Sequence, residues 1–486
     1  MQRVLLLFPP FTDYAFGDQW KGTESLTPPL GLLTLATPLV ESGYHVKLLD
    51  LSVQRTTRAE LQNLVAKQDY ILISCYTQTL ANVRRLIDDI RDMNGHAFIL
   101  CGGPYCRETR KHIHGCDLTS VGEAERTIVT MLERLDGGGS LRDIPDVAFE
   151  EDGEVVCTAP APQPVEFEEG RWPLIELIRE DHYGYFQGVR IPRIAPLLTS
   201  RGCPFRCRFC TWNFVKYRER PIADVIEELH LRVRQGYRYF VLCDDNFLMV
   251  PSRVHQLMDE ILARRLKVKM IVQGRVDSAD GALYEKMRRA GVLVVIYGIE
   301  SANRDVLEFY NKRTTLEGIR ETIIAADRAG LITVGSFIIG APHETRAHFL
   351  RDRELADELP LDFLNVNILS YFFGSALWLD AHEKGQLSEN DLFVLADERL
   401  SQFTHAELTA VQSEWLTHFY LQPRRLVRIL RKILALGEAR ALPIILRQLV
   451  GKTLWSPGGD RYGFFEGNVR ATLTRRAARP AVRQPQ

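Results

Sequence analysis

Hydrophobic and polar positions alternate from residue 3 to about residue 135 in a way that predicts strands and helices in turn. Between short apolar runs lie stretches in which apolar residues recur every three or four positions, as in amphipathic helices. Runs rich in Val, Ile and Leu indicate strands that are buried on both faces. The apolar runs are RVLLLF, HVKLLDL, YILISCYT and HAFILCGG. This order predicts a doubly wound parallel sheet, which binds ligands beyond the carboxyl ends of its strands.

Small, hydroxyl-bearing and glycine residues stand at these predicted strand ends. Such residues suit a close approach of the backbone to a large ligand, although each is also an ordinary turn residue. The candidate binding residues are Ser74, Thr77, Gly102, Gly103, Gly122 and Glu123. We therefore expect a ligand site along this edge of the first sheet.

A second alternation of strands and helices begins near residue 195, after a predicted hairpin, VAFEEDGEVVCT, and a proline-rich linker. Its apolar runs are IAPLLTS, YFVLCDDNF, KMIVQGRV, VLVVIYGIES, TVGSFIIGAP and FLNVNILSYF. Six strand-helix units predict a partial (β/α)6 barrel with its site at the strand carboxyl ends. The expected α/β architecture is a ligand-binding domain over residues 1–140, a hairpin and linker over 141–173, the barrel over 174–390, and a helical region with a basic tail over 391–486.

The segment PRRLVRILRKIL near the C-terminus places basic residues around an apolar stripe. We favour a helix that packs on the barrel and leaves a solvated basic face, with an interfacial helix that touches lipid or a hydrophobic substrate as the alternative. The basic residues are Arg424, Arg425, Arg428, Arg431 and Lys432. The tail TRRAARPAVRQPQ is expected to be disordered.

Composition narrows the class of protein. The chain has 486 residues, 45% of them hydrophobic and 25% charged, which fits two or three globular domains. A net charge of -1 gives no basic excess for binding nucleic acid. Nine cysteines, an odd number, favour a reducing cytoplasm over a disulfide framework. The first apolar run ends at Pro9, so we interpret it as a strand and not a signal peptide, and no run reaches the roughly 18 residues of a membrane span.

Three cysteines are concentrated in one loop directly after a predicted strand. Residues 197–212 read LLTSRGCPFRCRFCTW and place Cys203, Cys207 and Cys210 in a C-x-x-x-C-x-x-C array. A structural zinc site needs four protein ligands, and no nearby cysteine or histidine pair completes such a set. Thiolates also suit iron-sulfur clusters, and three cysteines on a 4Fe-4S cluster would leave one iron open.

The stretch GCPFRCRFCTW resembles the signature of the radical S-adenosylmethionine (SAM) superfamily. The resemblance implies that the three cysteines are the catalytic, metal-binding residues and that the open iron binds SAM, whose reductive cleavage gives a deoxyadenosyl radical. Later strand ends, CDDNF, QGRVD and YGIES, resemble further elements of this superfamily. They imply that SAM is bound by Asp244, Asp245, Gln273, Arg275 and Glu300. In FIIGAPHET, which resembles a fifth element, His343 stands where that element has glycine.

With its N-terminal sheet, the chain resembles cobalamin-binding radical SAM proteins of the class B methyltransferase type. PPLGLLTLA, the LD that ends the second strand, GGP and GE recur in those relatives. The resemblance implies that the candidate residues of the first sheet bind cobalamin. The D-x-H-x-x-G motif that supplies a histidine to cobalt elsewhere is missing, so cobalt is expected without it. His112 and His114 are expected to face solvent.

The resemblance implies an enzyme that abstracts hydrogen from an unactivated carbon and methylates it. A small-molecule or lipid-like substrate and a flavodoxin- or ferredoxin-like electron donor are expected, with peripheral membrane contact through the C-terminal segment as a weaker expectation. Oxidative cyclisation or ring rearrangement with the same cofactors is the main alternative. A methylthiotransferase is disfavoured because Cys75, Cys101, Cys106 and Cys116 lack a second cluster pattern. A non-catalytic cobalamin or redox sensor would predict no SAM cleavage.

Overall fold

A computed structural model describes residues 2–11, 27–162, 165–179, 182–186, 189–211, 215–276 and 280–437. Most of the loop FTDYAFGDQWKGTES, residues Trp212 and Asp277, and the basic tail lie outside the described residues, so the prediction of a disordered tail stays a prediction.

The first part of the chain forms one sheet flanked by helices. Its strands are β1 (Arg3–Phe8), β2 (His45–Asp50), β3 (Tyr70–Ser74), β4 (Phe98–Gly102), β5 (Leu118–Ser120), β6 (Val147–Glu151) and β7 (Glu154–Cys157). Its helices are α1 (Leu30–Glu41), α2 (Arg58–Val65), α3 (Leu80–Met93), α4 (Pro104–Thr109) and α5 (Ile128–Gly137). The strand order is β2-β1-β3-β4-β5-β6-β7, and β1 to β5 are parallel, as predicted.

Both faces of this sheet are covered. Leu5 and Leu7 of β1 enter one apolar layer, whereas Val4 and Leu6 enter the layer on the opposite face. Successive side chains of a strand point to opposite faces, so an unbroken apolar run indicates helices on both sides. The doubly wound arrangement follows from this pattern.

The predicted hairpin extends the first sheet. Strand β6 pairs antiparallel with β5, and β7 pairs antiparallel with β6. Val147, Ala148 and Phe149 are buried, so β6 covers an edge that β5 would otherwise leave open. The sheet is therefore mixed at this edge, a difference from the purely parallel sheet that the sequence predicts. The pattern misses β5 and α4 because they have only three and six residues.

The second part of the chain forms the predicted barrel. The strands of its sheet are β10 (Ile194–Leu197), β13 (Tyr239–Leu242), β14 (Lys269–Arg275), β15 (Val292–Glu300), β16 (Ile332–Ile339) and β17 (Phe363–Ile368). The helices are α6 (Ile222–Arg234), α7 (Pro251–Ala263), α8 (Gly281–Ala290), α9 (Arg304–Phe309), α10 (Leu316–Arg328), α11 (Arg346–Glu358), α12 (Ala376–Glu383), α13 (His405–Leu421) and α14 (Pro423–Ala435). Its order, β10-β13-β14-β15-β16-β17, follows the chain with parallel pairing throughout.

Three short antiparallel ribbons lie outside the two large sheets of the described chain. They are β8 (Tyr185–Phe186) with β9 (Val189–Arg190), β11 (Ser200–Arg201) with β12 (Arg218–Glu219), and β18 (Ser370–Phe372) with β19 (Phe393–Leu395). The ribbon of β11 and β12 brackets the cysteine loop. The α/β fold class that the sequence predicts is confirmed, with a helical region after the barrel.

Helix α14 packs on the barrel as expected, but its basic face is only partly solvated: Arg424 and Arg431 are exposed, whereas the other three basic residues bind the barrel. The guanidinium of Arg425 is buried and donates to the carbonyls of Leu359 and Leu361 at 2.8 and 2.9 Å. It donates to the carbonyls of Ala356 and Asp357 at 2.7 Å as well. Burial lowers the pKa of Arg425 to about 10.

Two further basic residues of α14 also bind the barrel. Lys432 lies 2.6 Å from Asp362 and 2.8 Å from Asp327, and Arg428 pairs with the same two carboxylates. The charges near the C-terminus thus attach the helix, which the apolar stripe alone did not reveal. No helix in the described part of the chain is long and apolar enough to cross a bilayer.

Two buried carboxyl groups lie after β16: Glu344 is in the loop that follows this strand, and Asp352 is in α11. Glu344 accepts the backbone N–H groups of Gly340 and Ala341, both at 2.6 Å. Asp352 accepts Ser301 Oγ at 2.8 Å and Asn303 Nδ2 at 2.9 Å. Burial, helped by the Asp352 charge, raises the pKa of Glu344 to about 8, and burial raises the pKa of Asp352 to about 7.

We expect Arg425→Met to lower the free energy of unfolding by about 3 kcal/mol, because it removes four hydrogen bonds and takes the donor from the buried carbonyls of Ala356 and Leu361. Arg431→Met, on the exposed side of the same helix, should change it by less than about 0.5 kcal/mol. Denaturant unfolding of both variants measures the difference. Equal shifts would contradict the role assigned to Arg425.

Stability should fall as the pH rises from 6 to 9. A carboxyl whose folded pKa is raised stabilises the protein at low pH, and that contribution is lost as the pH rises through the folded value. Glu344→Gln keeps an acceptor for the two N–H groups but cannot ionise. We expect wild type to lose about 2 kcal/mol more than Glu344→Gln over this interval, measured by denaturant unfolding at both pH values. Parallel pH profiles would refute this assignment.

Candidate active site

The cysteine loop leaves the barrel at the carboxyl end of β10. Gly202, just before the first cysteine, has φ of +80°, and a Cβ there would lie 2.4 Å from the carbonyl oxygen of Val215. Only glycine fits this turn. Its N–H donates to Asp245 at 2.7 Å, which ties the start of the loop to the end of β13.

Asp244, the neighbour of Asp245 and one of the residues predicted to contact SAM, bonds to the start of the cysteine loop. It is fully buried, and its carboxylate accepts Thr199 N at 2.7 Å and Ser200 Oγ at 2.6 Å. Burial raises the pKa of Asp244 to about 6. Its oxygens thus brace the chain between β10 and the cysteine loop.

Arg275 reaches the cysteine loop directly from the end of β14. Its Nη1 lies 3.5 Å from Cys207 Sγ, and its guanidinium lies 3.8 Å from the centroid of the Phe205 ring. Its Nη2 donates to the carbonyl of Lys312. The structure therefore places this residue against a cysteine of the array.

Glu300, at the end of β15, forms a buried ion pair that the sequence did not predict. Lys312 Nζ lies 2.6 Å from Glu300 Oε1. Glu300 has φ of +68°, in the left-handed region that favours glycine. Gly298 makes room for the pair, because a Cβ there would lie 2.4 Å from Glu300 Oε1. Lys312 follows α9 in a loop without periodicity, so no pattern marked it.

The predicted residues of the barrel partly converge. Burial raises the pKa of Cys203, and the nearby Cys207 and Asp245 add to the rise, so these three groups are neighbours. Gln273 is exposed at the barrel mouth and donates to the carbonyl of Asp244 at 2.8 Å. The array, Arg275 and Gln273 therefore lie at one end of the barrel.

The edge of the first sheet also collects its predicted residues. Ser74 and Gly102 are paired at the ends of β3 and β4, and Thr77 begins a short 3-10 helix. Gly103 has φ of +106°, and a Cβ there would lie 2.9 Å from the carbonyl oxygen of Cys75. The order β2-β1-β3 reverses direction between β1 and β3, which is where doubly wound sheets bind ligands.

Glu123, by contrast, serves the contact between the first sheet and the barrel, whereas Gly122 packs against Asp146 within the first domain. A Cβ on Gly122 would lie 2.5 Å from Cγ of Asp146. Glu123 accepts Arg218 Nη2 at 2.6 Å and Val165 N at 3.1 Å, and it lies 3.5 Å from Arg201. Its carboxylate thus joins the first sheet to the ribbon of β11 and β12.

Two charged residues of α4 face the cysteine loop. Burial raises the pKa of Glu108 to about 7, and Thr211, which follows Cys210, is close enough to lower it in part. Arg107 is close enough to Asp245 to lower that residue's pKa, which burial raises overall. The edge of the first sheet therefore faces the mouth of the barrel. Sequence reasoning missed both residues because α4 is too short to show periodicity.

Two histidine expectations have different outcomes. His114 is exposed, as expected. His112 is half-buried, and its Nδ1 lies 3.1 Å from both the Ala148 carbonyl and Thr119 Oγ1, so the expectation that it faces solvent is wrong. Burial lowers its pKa. The hairpin strand β6 covers this ring, which the sequence did not indicate.

The remaining N-terminal cysteines are packed as small apolar groups. Cys75, Cys101, Cys106 and Cys116 are buried in one layer of the first sheet. A hydrogen bond to Cys116, together with burial, raises the pKa of Cys101, and burial raises that of Cys106. The raised pKa values make Cys101 and Cys106 poor nucleophiles. Among the described residues, no group of three or more His, Cys, Asp or Glu side chains is arranged around a single metal ion.

The donor set of the cysteine loop nevertheless fits a cluster. A 4Fe-4S cluster takes each thiolate on a different iron, so its ligands need not converge on one ion. Cys203 and Cys210 are partly exposed at the barrel mouth, Cys207 is buried beside a guanidinium, and none of these three described cysteines forms a disulfide. The small residues and glycine turn at the edge of the first sheet likewise fit a large planar ligand.

Two family models match the chain. The model of the Radical SAM superfamily matches residues 197–356, which include the array and the ends of β13 to β16. The model of the B12 binding domain matches residues 23–132, which include β2 to β5.

Curated relatives cover most of the chain. An uncharacterized methyltransferase of Pyrococcus horikoshii is 27% identical over 88% of this chain and 94% of the relative. The anaerobic magnesium-protoporphyrin IX monomethyl ester cyclase of a Synechocystis species is 26% identical over 74% of this chain and 71% of the relative. The hopanoid C-3 methylase of Methylococcus capsulatus is 26% identical over 78% of this chain and 72% of the relative.

Solved structures share the fold. The radical SAM methyltransferase TsrM from Kitasatospora setae superimposes with a TM-score of 0.64 at 19% identity, covering 79% of this chain and 76% of TsrM. The cobalamin-dependent SAM radical enzyme OxsB superimposes with a TM-score of 0.66 at 15% identity, covering 98% of this chain and 83% of OxsB. The family models and the fold agree with the facing sites described above. The chain belongs to the cobalamin-binding radical SAM family of enzymes, whose cofactors are a 4Fe-4S cluster, S-adenosylmethionine and cobalamin.

Proposed function

We propose that this enzyme methylates an unactivated carbon of a small-molecule or lipid-like substrate. When bound, SAM on the cluster would supply a hydrogen-abstracting radical and cobalamin would supply the methyl group. A flavodoxin- or ferredoxin-like protein would supply the electron. We assign cobalamin to residues 1–140 and the cluster with SAM to residues 174–390.

One observation carries this proposal: the edge of the first sheet and the mouth of the barrel face each other. Glu123 accepts Arg218 Nη2 at 2.6 Å and lies 3.5 Å from Arg201, on the ribbon that brackets the cysteine array. Glu108 of α4 lies near Thr211, beside the array, and Arg107 lies near Asp245. A substrate held there would meet groups of both domains. This arrangement supports a reaction in which two cofactors act on one carbon.

The residues of the chain have proposed roles in holding the cofactors. Cys203, Cys207 and Cys210 would ligate the cluster, with Asp245 and Asp244 holding their loop. Gln273 and Glu300 would contact SAM from the strand ends. Those proposed for cobalamin are Ser74, Thr77, Gly102 and Gly103. Gly122 is proposed for cobalamin as well, and Glu123 would act by fixing the first sheet against the barrel.

The relatives support methylation and a lipid-like substrate to different degrees. A methyltransferase aligns over 94% of its length with this chain, and a hopanoid methylase over 72% of its length. Membrane contact through α14 has less support, because Arg425, Arg428 and Lys432 are used within the protein. We therefore propose a substrate that reaches the enzyme without help from α14.

Oxidative cyclisation is the second candidate function. The observation in its favour is the similarity to a magnesium-protoporphyrin IX monomethyl ester cyclase over 74% of this chain. That reading keeps both cofactors and differs in what occupies the space between them.

Product analysis separates these functions. The protein is reconstituted anaerobically with iron, sulfide and cobalamin and is then reduced in the presence of SAM. We expect it to convert SAM into both deoxyadenosine and S-adenosylhomocysteine, identified by mass spectrometry. Deoxyadenosine alone would favour the cyclase. Neither product, with cluster and cobalamin verified as bound, would refute an enzyme and favour a sensor.

We expect Cys207→Ala to lose the cluster, since two thiolates hold it too weakly for reconstitution. Iron and sulfide content and the visible absorption of the protein measure this loss. Cys157→Ala, which removes an exposed thiol outside the array, should keep full content. Full iron and sulfide in Cys207→Ala would disprove the ligand assignment.

A further inference from the structure

We propose that Arg275 is a positioning residue that sets the reduction potential of the cluster by donating an N–H to the Cys207 sulfur. This inference rests on the proposed ligation of the cluster by Cys203, Cys207 and Cys210. It gives Arg275 a role different from the SAM contact that the sequence implied. The role is electrostatic and acts through Cys207.

The contacts of Arg275 determine where its charge lies. Nη1 lies 3.5 Å from Cys207 Sγ, and Nη2 donates to the carbonyl of Lys312. One face of the guanidinium lies 3.8 Å from the centroid of the Phe205 ring, and Phe205 belongs to the same loop. The Arg275 backbone N–H donates to Asn246 Oδ1 at 3.3 Å. Contacts in several directions hold the group against the sulfur.

Burial makes this charge effective. Arg275 is 6% exposed and Cys207 is 8% exposed, so little water separates or screens them. A hydrogen bond from a cation to a thiolate is stronger than one between neutral groups. The reduced cluster carries one more negative charge than the oxidised cluster, so a fixed positive charge at its sulfur favours reduction. Hydrogen bonds to sulfur and local charge are known determinants of cluster potential.

Lysine could not replace this arginine. The planar guanidinium donates along two directions while its face stacks on a ring, whereas an ammonium is a compact point charge on a flexible stem. Lys312 shows the contrast within the same site, because its ammonium pairs with Glu300 at 2.6 Å and only its backbone carbonyl meets Arg275. The chain thus has arginine at the position where one side chain donates to two acceptors.

The test is an anaerobic redox titration of the reconstituted holoenzyme without SAM, followed by the electron paramagnetic resonance signal of the reduced cluster. Arg275→Gln removes the positive charge. Arg275→Lys keeps a positive charge but loses the planar group that donates in two fixed directions. The matched control is Arg253→Gln. Arg253 also lies at the barrel mouth, but it donates to the backbone carbonyls of Thr199 and Arg220 at 2.9 and 2.6 Å.

At the wild-type midpoint potential, the ratio of reduced to oxidised cluster should fall about tenfold in Arg275→Gln, a shift of about 59 mV to more negative potential for one electron. Arg275→Lys should shift in the same direction by less, and Arg253→Gln should titrate like wild type. If Arg275→Gln loses its iron while Arg253→Gln keeps it, the positioning role is supported and Arg275→Lys carries the test of potential.

Wild-type potentials in Arg275 variants that retain their clusters would overturn the inference. Weaker binding of SAM with an unchanged potential would likewise overturn it in favour of a direct SAM contact. Failure of the proposed methylation is a separate result, because it is read from the nucleoside products of SAM and leaves a cluster whose potential can be titrated. Failure of the cluster ligation is also distinct, since wild-type protein would then reconstitute without a cluster.

Discussion

The hydrogen bond from the Gly202 N–H to Asp245 holds the cysteine loop on the barrel. It joins the end of β13 to the residue before the first cysteine of the array. Its neighbour Asp244 accepts Thr199 N and Ser200 Oγ. The two carboxylates together hold the stem of the loop and its first residue. A loop of this kind needs such support, because three thiolates must keep their spacing without help from a helix or strand.

The buried charges of Lys312, Glu300 and Arg275 near this loop each have a polar or oppositely charged partner, which lowers the free-energy cost of removing them from water. Lys312 pairs with Glu300, and Arg275 donates to a thiol and a carbonyl. Arg425 does the same at the far side of the barrel with backbone carbonyls alone. Burying a charge without such partners costs several kcal/mol, roughly the whole net stability of a domain. Arg275 and Arg425 therefore stabilise the structure, because each guanidinium donates to two or more acceptors.

The two domains meet along charged groups of several elements. Glu123 reaches Arg218 and Arg201 on the ribbon beside the cysteine loop, while Glu108 reaches Thr211 on the loop itself. These contacts place the ligand edge of the doubly wound sheet opposite the mouth of the barrel. Bringing two reactants together in one space lowers the entropic cost of their meeting. The interface is thus part of the proposed active site as well as a structural contact.

Much of this protein could be predicted from its sequence, because the main signals are local. Unbroken apolar runs and periodic helices indicated both sheets, since a strand buried on two faces must be apolar along its length. The spacing of Cys203, Cys207 and Cys210 indicated cluster chemistry, since ligands within one short loop are close in any fold. The hairpin was predicted as well, but not the sheet edge that it extends.

Other features depend on residues that are distant in sequence, and only the tertiary structure decided them. Lys312 meets Glu300 across 12 residues and Glu123 meets Arg218 across 95, and no periodicity links such pairs. The helix that carries Glu108 is too short to show a pattern, and the basic residues of α14 looked solvated because their carboxylate and carbonyl partners lie 64 or more residues away. Local secondary structure follows from the hydropathy pattern of the sequence. The direction in which a charged side chain points depends instead on which distant backbone or carboxylate group the fold brings beside it.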